Sequence, residues 1–457
     1  MSPASDSLAE RPGSAVRMTR VRWSIVAVLF LVTTINYADR ATLSITSSSI
    51  SKQYGVDPVT MGYLFSAFGW SYVLGQLPGG WLLDRFGAKR IYLWSLFLWS
   101  LFTFLQGTVV FFTVSAAATV AALFIFRFGV GLAEAPSMPA NSRIVANWFP
   151  AAERGTAVAL FNSSQYFATA LFIPVMSGIT HKLGWNYTFL FMGVLGILFV
   201  PVMVRMINTP GQNTRINQAE RDYIRKGGAF DESALPAPGV PLAKESSWGS
   251  IKSLLTNRMM VGLFLGQYCI STLTYFFLTW FPVYLVKERG MSIMKVGFVA
   301  VLPALCGCIG SLMGGTFSDY LLRRGCSLSV ARKTPIVAGM LLSTSMVVCN
   351  FVRTDFVIVA IMALAFLGKG IGALGWTVVV DTAPKQIMGL TAGLFNFFGN
   401  TAAITTPIVI GYIVASTGSF NGALVFVSAN ALLAIISFLI IVPKIQRMEL
   451  HPAPAVA

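Results

Sequence analysis

Gly79-Gly80-Trp81-Leu82-Leu83-Asp84 and Gly314-Gly315-Thr316-Phe317-Ser318-Asp319 are two versions of one pattern, 235 positions apart (314 minus 79). A second set nearly keeps that offset: Pro150, Gly155, Leu160, Phe161 and Asn162 recur as Pro384, Gly389, Leu394, Phe395 and Asn396, 234 positions on (384 minus 150). Two matches at almost one spacing mark an internal duplication. Each half of the chain then holds one copy of the same structural unit.

Around these copies run apolar stretches of about twenty residues, from Trp23 to Val442 and about twelve in all, each long enough to cross the hydrocarbon core of a bilayer. A chain of 457 residues that is 55% hydrophobic and 11% charged has more apolar surface than a soluble core can hide. No stretch alternates like a barrel strand, and lipid satisfies no backbone hydrogen bond, so helix is the spanning structure. The expectation is an all-α polytopic membrane protein of twelve transmembrane helices in two six-helix pseudo-repeats. The polar stretch with Pro210, Gly211, Pro236, Pro238 and Pro241 reads as a linker, with Gln218 to Lys226 as a short surface helix within it. The expected division is a tail 1–22, a bundle 23–207, a linker 208–256, a second bundle 257–443 and a tail 444–457. The first apolar run is too long for a signal peptide and stays as the first helix.

The formal charge of +16 is explained by topology. With a cytoplasmic N-terminus, 24 of the 33 Lys and Arg fall in cytoplasmic segments, the positive-inside bias, and no nucleic-acid partner is needed. Arg40, Arg127 and Lys369 remain inside apolar stretches. The five cysteines have neither disulfide-framework nor zinc spacing and read as packing residues, so no metal is expected. The histidines, His181 and His451, lie in a loop and a tail, which leaves carboxylates as proton carriers within the membrane.

The segment Gly79-Gly-Trp-Leu-Leu-Asp-Arg-Phe-Gly-Ala-Lys-Arg90 resembles the signature between helices 2 and 3 of the major facilitator superfamily, with a degenerate copy at Gly314. The resemblance makes Gly80, Asp84, Arg85, Gly87, Arg90 and Asp319 a conformational gate motif; physically, the glycines let backbones approach and the charges cap helix ends or pair across the cytoplasmic face. Asn36-Tyr-Ala-Asp-Arg40, Arg127 with Glu134-Ala-Pro136, and Asn141-Ser-Arg-Ile-Val-Ala-Asn-Trp-Phe-Pro150 resemble its anion:cation symporter branch. Tyr166-Phe-Ala-Thr169, Phe281-Pro-Val-Tyr-Leu-Val286 and Gly368-Lys-Gly-Ile-Gly-Ala-Leu-Gly-Trp376 resemble the bacterial glucarate and galactarate transporters within it.

A charge at the bilayer centre costs roughly 2.5–3.5 kcal/mol even on the lenient insertion scale, so such residues face cavities or partners. Arg127 and Glu134, seven residues apart on one helix, lie on nearly one face but about 10.5 Å apart, so an anion held by one and a proton on the other sit at different levels. The resemblance implies that Arg40 and Arg127 bind substrate and that Asp39 and Glu134 carry coupling protons. The blander reading of Asp39 and Arg40 is an ion pair that locks the fold. The resemblance also places Tyr37, Tyr72, Gln165, Trp376 and Asn396 on the cavity wall, with Asn162 as the repeat partner of Asn396. Lys369, seven residues before Trp376 and on nearly the same helical face, is the C-terminal half's candidate for a second substrate carboxylate; its alternative is a snorkelling or pairing role. Asp381 reads as a loop or gate contact, too far from Lys369 to pair with it.

The function expected is secondary active, proton-coupled symport of a sugar-acid anion, glucarate or galactarate, by alternating access. The chain is expected to sit in a bacterial inner membrane with both termini cytoplasmic, as a monomer, with the proton gradient in place of a cofactor and no catalytic residue. The alternative is a passive facilitator or exchanger of organic anions such as hexuronate or galactonate. A membrane enzyme or ATP-driven pump is disfavoured, because no Walker-type phosphate loop and no zinc-binding helix motif is present.

Overall fold

The computed structural model describes residues 18–112, 115–229, 248–384 and 387–449, and these contain helices and no strand. The first half holds α1 (Val21–Tyr54), α2 (Pro58–Phe86), α3 (Ala88–Phe111), α4 (Ala116–Trp148), α5 (Ala151–Lys182) and α6 (Trp185–Met206). The second holds α7 (Arg258–Lys287), α8 (Ile293–Arg323), α9 (Leu328–Phe351), α10 (Asp355–Thr382), α11 (Met388–Thr417) and α12 (Asn421–Ile441). Eleven of these are long and apolar enough to cross a membrane, and α2, with 29 residues, is the twelfth long helix. The molecule is a multi-pass membrane protein.

Packing repeats as the sequence does. Within the first half α1 lies on α5, α2 on α4 and α3 on α6; within the second α7 lies on α11, α8 on α10 and α9 on α12. The halves meet through α2 against α11 and α5 against α8, two contacts that the duplication makes equivalent. Their polar links, Ser44 Oγ to the Thr279 carbonyl (2.6 Å) and Tyr63 to Tyr412 (3.3 Å between hydroxyls), lie toward the end of the bundle opposite the linker. Asp57 starts α2 at that end by accepting from the Thr60 hydroxyl and the Val59 and Thr60 N–H groups, and these bonds, the Thr60 hydroxyl first, hold its carboxyl below the usual range.

Close approach there requires glycine. A Cβ on Gly69 would sit 2.8 Å from the Ala403 backbone, while on the linker side Gly80, Gly155, Gly315, Gly389 and Gly393 have nothing within 4 Å of such an atom. The two halves thus close at one end and part at the other. Gly69→Val forces α2 off α11, and we expect it to lower transport roughly tenfold, the size of a 1–3 kcal/mol overpacking penalty. Uptake by membranes holding matched amounts of inserted protein checks this; undiminished uptake would mean that the α2–α11 contact does not take part in the cycle.

The linker is not wholly a surface strand of polar chain. Its helix Gln218–Lys226 buries Glu220, which accepts from the Thr19 hydroxyl (2.6 Å), the Val21 N–H (3.0 Å) and Arg22 Nη1 (2.9 Å). Arg22 also reaches Glu153 at 2.9 Å, so the linker is fastened to the feet of α1 and α5. Residues 230–247 and both terminal tails lie outside the described residues, apart from 18–20 and 444–449.

Candidate functional site

Near the middle of α1 and α4, four charged side chains are buried together: Asp39, Arg40, Arg127 and Glu134. Arg127 and Glu134, expected from helix spacing to share a face without touching, make no ion pair with each other, and each finds its partner on α1. Glu134 does not stand at a separate level as a free acid, because α1 packs alongside α4 and brings Arg40 to it: Arg40 Nε donates to Glu134 Oε1 at 2.5 Å, with Nη2 also on that oxygen. Arg127 turns to the backbone of α1, donating to the Asp39 carbonyl (3.1 Å) and the Arg40 carbonyl (2.7 Å). Aromatic faces replace water around both cations. The Arg40 guanidinium lies 4.8 Å from the Tyr37 ring, 4.9 Å from Phe68 and 5.0 Å from Tyr72, and Arg127 lies 5.4 Å from Phe68.

Asp39 pairs with neither arginine side chain. Its carboxylate is fully buried beside the Trp99 indole and makes no ion pair among the described residues. The ion pair that locks α1 is therefore Arg40 with Glu134, and Asp39 stays out of it. Asn36, one turn before Arg40, faces Glu134 with its own amide unpartnered.

Beside this cluster, α1, α5, α7, α8 and α10 line a partly open cleft. Tyr37, Gln165, Tyr166, Thr169 and Lys369 supply its polar wall. Tyr37 belongs to both regions, since its ring also carries Arg40. Gln165 is held by its Nε2 on the Asn162 carbonyl at 3.2 Å.

Trp376 does not share a face with Lys369, contrary to the continuous helix expected. Gly370-Ile371-Gly372-Ala373-Leu374-Gly375 interrupts α10, whose first segment ends at Ile371 and whose second starts at Gly375. Trp376 lies beyond the break, 49% exposed, with its ring against Phe395 at 5.0 Å and away from the wall that Lys369 lines. Asn162 and Asn396 are not brought together either: Asn162 is exposed and contributes its carbonyl to Gln165. Asn396 joins a chain that sequence reading missed, in which Asn400 Nδ2 donates to Asn396 Oδ1 (2.9 Å) and the Tyr275 hydroxyl donates to Asn400 Oδ1 (2.9 Å). The Asn396–Asn400 spacing of four on one helix was the available signal. Tyr275 directly precedes a widened π turn, Phe276–Trp280, in α7.

The gate motif is only partly described. The Asp84 side chain lies outside the described residues; Gly87, with φ of 81°, makes the turn from α2 to α3, Arg85 covers the Trp81 ring at 5.2 Å, and a Cβ on Gly80 would meet nothing within 4 Å among the described residues. In the second copy Arg332 joins Asp381 (2.8 Å) and Asp319 (3.6 Å), tying the linker-side ends of α8, α9 and α10. Asp381 is thus a contact of that end, and Lys369 is not its partner.

Twelve long helices in two equivalent halves, with cations and acids buried where a cleft enters between the halves, define a polytopic membrane transporter. The chain belongs to the major facilitator superfamily, whose model, described as Major Facilitator Superfamily, matches residues 29–331. It is 58% identical over 446 residues to a protein of Escherichia coli (strain K12) named "Probable galactarate/D-glucarate transporter GudP", covering 98% of this chain and 99% of that protein. It is 53% identical to one of the same strain named "Probable galactarate/D-glucarate transporter GarP", covering 94% and 96%. Among solved structures it resembles the crystal structure of a D-xylose-proton symporter, with a TM-score of 0.69 and 16% identity over 93% of this chain and 99% of that one. That last likeness concerns the fold.

Proposed function

We propose that this protein imports glucarate or galactarate together with protons across a bacterial inner membrane, as a monomer with both termini cytoplasmic. The observation that carries the reading is the Arg40–Glu134 pair beside a cleft whose wall holds Tyr37, Gln165, Thr169 and Lys369. A substrate carboxylate and the Glu134 carboxylate want the same guanidinium. A proton on Glu134 removes its claim, so anion binding at Arg40 and proton uptake at Glu134 support each other. Asp39, buried and outside that ion pair, is the second acid. With both acids ionised the four-residue cluster is neutral, and with both protonated it carries two positive charges, the number that a dianion neutralises. Such compensation is what uptake against a negative-inside potential requires. The names of the related proteins support the sugar diacid, and the hydroxyl and amide groups of Tyr37, Gln165 and Thr169 suit a polyhydroxylated chain. No cofactor is needed beyond the proton gradient.

Uptake of labelled glucarate into vesicles tests this, with the proton gradient imposed and then collapsed. Accumulation above the external concentration is expected only while the gradient stands. Equal uptake in both conditions would make the protein a facilitator or exchanger.

A further inference from the structure

We propose that Lys369 is the anchor for the second carboxylate of a linear dianion, and the residue by which the site distinguishes diacids from monoacids. This rests on the sugar-acid reading above and adds the subsite that reading lacks.

Both arginines of the first half already have acceptors: Arg40 has Glu134, and Arg127 has two carbonyls. Lys369 differs. The residue is 5% exposed, it faces the cleft, and among the described residues its Nζ makes no hydrogen bond or ion pair, with the Phe366 ring at 5.3 Å and the Tyr166 ring at 6.0 Å as its neighbours. A buried ammonium without an anion is costly, and two aromatic faces offset only part of that cost. The backbone supplies another part, since Lys369 occupies the last turn of the first α10 segment, where the helix dipole favours a cation.

The placement is rigid. A Cβ on Gly370 would lie 2.3 Å from the Gly307 carbonyl oxygen and one on Gly310 would lie 2.1 Å from that of Leu367, so α8 and α10 touch backbone to backbone around this turn. Lys369 and Tyr37 lie on the wall of the same cleft, and Tyr37 carries Arg40 on its ring. One molecule can therefore present an end to Arg40 in the first half and an end to Lys369 in the second. The ends also differ in kind. Binding at Arg40 competes with Glu134, whereas binding at Lys369 displaces nothing.

The test is a cycle of ligand and protein. Glucarate and gluconate, which has one carboxylate, are compared as competitors of labelled substrate exchange in the unaltered protein and in Lys369→Met and Lys369→Arg. We expect glucarate to be preferred on the order of 30-fold, the size of one charge-assisted bond, the preference to fall to within about threefold in Lys369→Met, and Lys369→Arg to restore most of it. Gluconate competition should fall far less than glucarate competition, and elution as a single species reports that the variant is folded. A Lys369→Met protein that keeps the full preference, or one that loses both ligands equally while eluting as a single species, would overturn the proposal. An unaltered protein that takes up neither acid would instead overturn the sugar-acid reading.

Discussion

Arg40→Lys should reduce transport ~100-fold with the charge retained. The guanidinium places both Nε and Nη2 on Glu134 while lying flat against Tyr37, Phe68 and Tyr72. An ammonium is a point donor with no planar face, so it cannot hold a carboxylate in two places and stack at once. The Nε bond to a charged acceptor is worth about 1.5–3 kcal/mol and the lost stacking on aromatic faces about 0.5–2 kcal/mol more, together on the order of 100-fold. Arg127→Lys should cost less, about tenfold, because one of its two carbonyl contacts remains reachable. Initial rates of exchange on reconstituted protein would decide; near-normal rates with lysine at both positions would remove these arginines from the binding site.

Glu134→Gln and Asp39→Asn should abolish accumulation driven by a proton gradient while sparing exchange of internal for external substrate. The amide mimics the protonated acid, so Arg40 is released for substrate, but the cycle no longer returns a proton. In Glu134→Gln exchange should even persist at alkaline pH, since no acid is left at Arg40 to compete. The two variants need not be equal. Glu134 touches the Arg40 guanidinium directly, whereas Asp39 lies beyond Arg127, whose contact with it is to the carbonyl and not to the carboxylate. Equal loss of accumulation and exchange in both variants would assign the acids a structural role in α1–α4 packing.

The long apolar stretches, the basic bias of one set of loops and the repeated Gly-Gly and Pro–Asn patterns were enough to read twelve helices in two halves, because insertion into lipid depends on local composition and length. Arg40, Arg127, Asp39, Glu134 and Lys369 were legible for the same reason: an ionisable residue in an apolar helix is conspicuous. Partners were not legible. Helix spacing set Arg127 and Glu134 on one face and about 10.5 Å apart, but which neighbouring helix supplies Glu134's cation depends on how α1 lies against α4. The continuity of α10 was misread, since glycines at 370, 372 and 375 permit a break without requiring one; the break follows from the contacts that hold α8 against the first segment and Gly375 against Gln267 and Phe395. The sequence by itself determined that the chain crosses a membrane as a duplicated bundle and which charges are buried in it. Only the tertiary structure decided that Arg40 is held by Glu134, that Asp39 stays outside that ion pair, and that Lys369 faces the cleft with no anionic partner among the described residues, because pairing at low dielectric depends on distances of a few ångströms between helices far apart in the chain.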